Sequence, residues 1–65
     1  MKIEDVKKNL GREVSFRGTG GYILSACIIR TDRDNSRFFY QAELMDTRTN
    51  NSIIIARLEE VNKND

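Results

Sequence analysis

Tyr22-Ile23-Leu24-Ser25-Ala26-Cys27-Ile28-Ile29-Arg30-Thr31 is a ten-residue run rich in β-branched and large apolar side chains, and its reading decides the fold. With no proline anywhere in the chain, nothing disqualifies it as a strand. Two further stretches, Arg37–Met45 and Ser52–Leu58, have the same character, and Glu13–Arg17 alternates with Val14 and Phe16 on one side. Gly18-Thr19-Gly20-Gly21, Asp32-Arg33-Asp34-Asn35-Ser36 and Asp46-Thr47-Arg48-Thr49-Asn50-Asn51 separate them as turns. Consecutive strands joined by short turns make an antiparallel meander. A ten-residue strand in so small a sheet has to bend if it is to cover a core.

The remainder frames this sheet. Ile3, Val6 and Leu10 recur at helical spacing, with Glu4 and Asp5 in the first turn, Lys7 and Lys8 near the last, and Gly11 where a left-handed cap belongs. So short a helix cannot persist unaided, and its stripe is expected to dock on the sheet. Leu58-Glu59-Glu60-Val61 suits one 3₁₀ turn. The expected organisation is a single β domain: helix over 1–11, β-barrel over 12–61 and polar tail over 62–65. The fold class is mainly β, a short N-terminal helix plus a four- to five-stranded antiparallel meander closing into a small barrel.

At 65 residues the chain is near the lower limit for folding alone. One cysteine, Cys27, rules out an internal disulfide, and the absence of histidine leaves a poor ligand set for zinc, so no metal or cofactor is expected. The lone thiol and the charged Met1–Leu10 opening, which lacks a signal-peptide core, read as cytoplasmic, and no run is long enough for a membrane helix. Enzymatic chemistry is disfavoured: histidine is missing and Cys27 lies in an apolar strand, where a thiol stays protonated. Asp32, Asp34, Ser36 and Glu43 have calcium-loop spacing, but Arg37 occupies the obligatory glycine position and a strand follows.

The feature most suggestive of function is apolar surface on both faces. Ile23, Cys27, Ile29, Phe39, Met45, Ile53 and Ile55 fall on the parity opposite to Tyr22, Leu24, Ala26, Ile28, Tyr40, Ala42, Leu44, Ile54, Ala56 and Leu58. An antiparallel sheet ordinarily keeps one face polar. Covering seven such side chains, at roughly 60–100 Å² each, would be worth several kcal/mol. A partner can cover them, or bulges that switch parity can draw them inward. The expected protein interface is Ile29, Phe39, Met45, Ile53 and Ile55, serving self-association or a protein partner.

The arginines offer a second reading. Formal charge is only +1, which argues against bulk nucleic-acid affinity, yet Arg30, Arg33 and Arg37 flank one hairpin turn and Arg57 lies on the last strand. These four are the candidate anion or nucleic-acid contacts, with Phe16, Tyr22, Phe38, Phe39 and Tyr40 as stacking platforms. Asp32 and Asp34 could instead neutralise them locally. A nucleotide-sequestering oligomer, with arginines and aromatics meeting at subunit boundaries, is a further alternative.

With its polar loops and its 3₁₀ turn near the end, the chain resembles the SH3-like small barrels. Gly11-x-x-Val14 followed by Gly18-x-Gly20 is similar to the opening of KOW motifs in ribosomal and transcription-factor barrels. Cys27-Ile28-Ile29-Arg30 followed by Phe38-Phe39-Tyr40-Gln41-Ala42-Glu43-Leu44 resembles short uncharacterised proteins of bacterial phages and mobile elements. This resemblance implies a non-catalytic host-modulating factor and brings no catalytic residues.

Overall fold

The structure is a computed structural model and describes residues 1–34 and 36–63. One helix, α1 (Ile3–Asn9), precedes four strands in series, β1 (Glu13–Phe16), β2 (Thr19–Asp32), β3 (Arg37–Asp46) and β4 (Ser52–Arg57). A 3₁₀ turn over Leu58–Glu60 then leads into β5 (Val61–Lys63). All pairings are antiparallel, in the order β4-β3-β2-β1-β5. Strands β1 to β4 form the expected meander, whereas β5 crosses to the far side and pairs with β1. β4 and β5 are the two edges, so hydrogen bonds do not close the sheet.

Residues 62–65 were expected to be a polar tail, but Asn62 and Lys63 pair with Ser15 and Val14. Val61 is fully buried and fixes their register by facing Phe16. Asn64 and Asp65 lie outside the described residues, as does Asn35 of the second turn. The first turn also differs from expectation. Rather than spreading over Gly18–Gly21 it occupies Arg17 and Gly18 alone, both with positive φ (51° and 81°), between Phe16 and its partner Thr19. Two successive left-handed residues match the right-handed twist of the strands they join. β2 therefore starts early and runs for 14 residues.

Past α1, Leu10 is extended (φ −60°, ψ 129°) and Gly11 takes φ +80° in a type II-like turn that the Arg12 N–H closes on the Asn9 carbonyl (3.0 Å). Of the helical stripe only Val6 enters the core; Ile3 and Leu10 remain exposed. The core is Val6, Val14, Leu24, Ala42, Leu44, Ala56, Leu58 and Val61, with Met1, Phe16, Tyr22, Cys27 and Ile54 packed around it. Among the described residues it holds no buried charged side chain.

The β2–β3 ladder slips by one residue. Leu24 faces Leu44, but Ala26 faces Glu43, leaving Ser25 as the extra residue of a bulge. The Ser25 hydroxyl donates to the Glu43 backbone carbonyl (3.0 Å) and carboxylate (2.8 Å), anchoring the irregularity. Past the bulge the parity of β2 is reversed. Cys27 and Ile29 join the core side of the sheet, opposite Ala42 and Tyr40, while Ala26, Ile28 and Arg30 take the outer side.

Candidate interaction surface

β1 and β4 stop well short of the end of the β2–β3 hairpin. The β1 ladder reaches Ile23, continued by backbone bonds from Gly11 N–H to the Leu24 carbonyl (2.7 Å) and from Leu24 N–H to the Arg12 carbonyl (3.1 Å). The β4 ladder ends with Arg57 opposite Gln41. From Ile28 to Tyr40 the hairpin is therefore a two-stranded arm projecting from the body, and the molecule measures 36 Å along its longest axis but 18 Å along its shortest.

Alternation along this arm exposes apolar side chains on both sides. On the core side, the buried row through Cys27 and Ala42 continues into Ile29 with Tyr40 and then Thr31 with Phe38. Ile29 is 63% exposed and Phe38 72%. On the outer side stand Ile28, Phe39 and Arg30, followed across the sheet by Met45, Ile53 and Ile55. The interface expected from sequence is thus divided. Phe39, Met45, Ile53 and Ile55 share the outer face, Met45 being half-buried, whereas the bulge moves Ile29 to the other face.

Phe38, which the sequence offered only as a stacking platform, is the most exposed of the large apolar side chains among the described residues, and Tyr40 and Ile3 of α1 are exposed as well. The signal for them was available: β3 continues past the end of β4, so its first residues have no neighbour on that side. A cleft of about 660 Å³ lies there, lined by Met1, Ile3, Phe38, Phe39, Tyr40 and Leu58 with Asp32, Arg37, Arg57 and Glu59 at its margin. The Met1 amino group donates to the Leu58 carbonyl (2.7 Å) and to that of Val61, pinning the chain start beside this cleft.

The four candidate arginines do not converge. Arg37 and Arg57 line the cleft, while Arg30 and Arg33 do not. Arg57 lies 4.0 Å from Glu59, a largely exposed contact worth little. In the turn, Asp32 Oδ1 accepts from the Asp34 N–H (3.0 Å) and so organises backbone, and no ion pair between Arg30, Arg33 or Arg37 and another described residue is present. On the body, by contrast, arginines are fixed: Arg17 bonds Glu60 (3.3 Å) over the Phe16 ring, and Arg48 bonds Asp46 (3.3 Å) over the Tyr22 ring.

Cys27 is half-buried, and desolvation raises its thiol pKa, favouring the unreactive protonated form. The described residues contain no group of three or more His, Cys, Asp and Glu side chains placed to hold a metal, and no helix long and apolar enough to cross a membrane. No protein-family model, curated protein or solved structure matches the chain.

Proposed function

We propose that the chain is a non-catalytic docking module that meets a protein partner, or itself, through the β2–β3 arm. One observation carries the reading: the core side of the sheet runs on beyond Cys27 and Ala42 into Ile29, Tyr40 and Phe38, which stay exposed among the described residues. An isolated two-stranded hairpin is at best marginally stable in water, and an exposed apolar strip of this kind marks an interaction site. The bulge at Ser25 and the direct passage from β4 through a 3₁₀ turn to β5 support an SH3-like small barrel as its frame. A host-modulating role of the phage or mobile-element kind belongs to the same proposal.

The test places the photoreactive p-benzoylphenylalanine at Phe38 and illuminates cells making the protein. Adducts with protein, whether a second copy or another chain, support docking. Adducts with nucleic acid, or none, overturn it.

A second reading, nucleic-acid binding, is favoured by Arg30, Arg33 and Arg37, which form no ion pair among the described residues, beside exposed aromatic rings. Phosphate contacts release counterions, so affinity for single strands would fall steeply with salt. Binding absent at low salt disposes of it.

A further inference from the structure

The arm has a second unused resource besides its apolar faces, its backbone. From Ala26 to Thr31, the backbone ladder of β2 runs to β3 alone among the described residues, because the β1 side ends at Gly11 and Arg12. The Asp32 carbonyl accepts from the Ser36 N–H (3.0 Å) and so turns toward β3. The alternation of an antiparallel strand then points the N–H and C=O groups of Thr31, Ile29 and Cys27 outward, along an edge with no partner strand among the described residues.

We propose that this edge pairs with the same edge of a second copy, antiparallel about a twofold axis at Ile28. The proposal rests on the docking reading above and names its partner.

The chemistry of the edge is the first reason. Ala26-Cys27-Ile28-Ile29 carries no charge and no proline. Natural edge strands are normally guarded by lysine, proline, a bulge or a covering loop; here the bulge precedes the open segment and the first charge comes at Arg30. Such an edge is a template for another strand, and a copy of itself offers equal length and matching apolar chemistry.

Charge selects the register. With Ile28 against Ile28 of the second copy, Arg30 of the second copy stands opposite Ala26, which is the neighbour of Glu43 on β3. The small Ala26 side chain lets the guanidinium reach over it to the Glu43 carboxylate, which has no ion pair among the described residues of its own chain. A register centred on Ile29 would bring Asp32 to that place and oppose two carboxylates. One centred on Arg30 would set that arginine against itself. Cys27 and Ile29 then exchange backbone hydrogen bonds across the axis.

Leu10 is the third reason. It is 45% exposed although its helix packs on the core, and it immediately precedes Gly11, which bonds Leu24 where the free edge begins. A twofold axis normal to the sheet keeps both core sides on one face. The arm of the second copy therefore runs toward Leu10 with Ile29 and Thr31 on the side that α1 occupies.

The experiment removes the native thiol with Cys27→Ser and adds Ile28→Cys. Across a non-hydrogen-bonded pair the Cβ atoms lie about 4.5–5.5 Å apart, close enough for a small adjustment to bring them within disulfide reach. Mild oxidation should give a covalent dimer well above the level of a Ser52→Cys control on the distant β4 edge. Sedimentation should show Arg30→Glu raising the dimer dissociation constant about tenfold, with Glu43→Arg in the same chain restoring it. A monomer at the highest soluble concentration overturns the proposal, as does Ile28→Cys cross-linking no faster than the control, or Ile29→Cys cross-linking faster than Ile28→Cys. If the monomer nonetheless yields Phe38 adducts with another protein, the dimer is refuted and the docking reading stands.

Discussion

Cys27 faces Ala42 across the β2–β3 ladder, which puts the thiol against the core rather than on the outer face with Phe39. Ser25 is the cause, an extra residue between two stretches that are otherwise in step. Deleting Ser25 should therefore preserve every cross-strand pair and lose only the bend and two hydrogen bonds to Glu43. We expect a folded protein whose Cys27–Ala42 and Leu24–Leu44 contacts persist in nuclear Overhauser spectra. Reversal of the faces beyond residue 26 would contradict this account.

Leu44 is fully buried at the centre of the sheet, between Leu24 and Ile54. Leu44→Ala should cost about 2–5 kcal/mol, which for so small a domain, worth roughly 3–5 kcal/mol in all, is most of its stability. Urea denaturation should show a midpoint near zero. A loss under about 1 kcal/mol would mean that the core is held elsewhere.

Gly21 has φ +91°, and a β-carbon there would lie 3.1 Å from Arg48 Nε. Gly21→Ala should destabilise by about 1–2 kcal/mol, through backbone strain and displacement of Arg48 from the Tyr22 ring. Gly18→Ala meets nothing within 4 Å but shares the positive φ, so it isolates the strain. Comparing their thermal midpoints separates the two effects.

Asp46 accepts from the Arg48 backbone N–H (3.0 Å), the Arg48 side chain (3.3 Å) and the Thr49 hydroxyl (3.1 Å). These bonds, the backbone one foremost, hold its pKa below the ordinary carboxylate value. Its contribution is thus present above the unfolded pKa of about 3.9 and is lost as pH falls through the lower folded value. Asp46→Asn should lower the melting temperature at neutral pH and flatten its decline in acid. An unchanged acid limb would assign that decline to other carboxylates.

The helix stop at Gly11, the β1–β4 meander and the 3₁₀ turn at Leu58 were legible because each has a local signature of glycine, period or spacing. The bulge was not, since Ser25 fits either face and only pairing with β3 reveals it as surplus. β5 was equally hidden: one apolar residue, Val61, in a polar stretch gives no period to read. The Arg17-Gly18 turn was obscured by the glycines that follow it. At the interaction surface, composition revealed too much apolar strand but not its division between two faces, because the division follows from that single inserted residue. Phe38 was passed over because its exposure depends on where β4 ends.

β5 places the last rung of the sheet beside one of the first, with Val61 set against Phe16 and the Met1 amino group bonded to the Leu58 and Val61 carbonyls. A growing chain cannot assemble this arrangement in the order in which it is made. Until residue 63 has left the ribosome, β1 lacks its outer neighbour, while the β2–β3 hairpin, whose contacts are local, is complete in sequence from residue 46 on. The hairpin that forms the arm is therefore synthesised in full before the body that carries it can close.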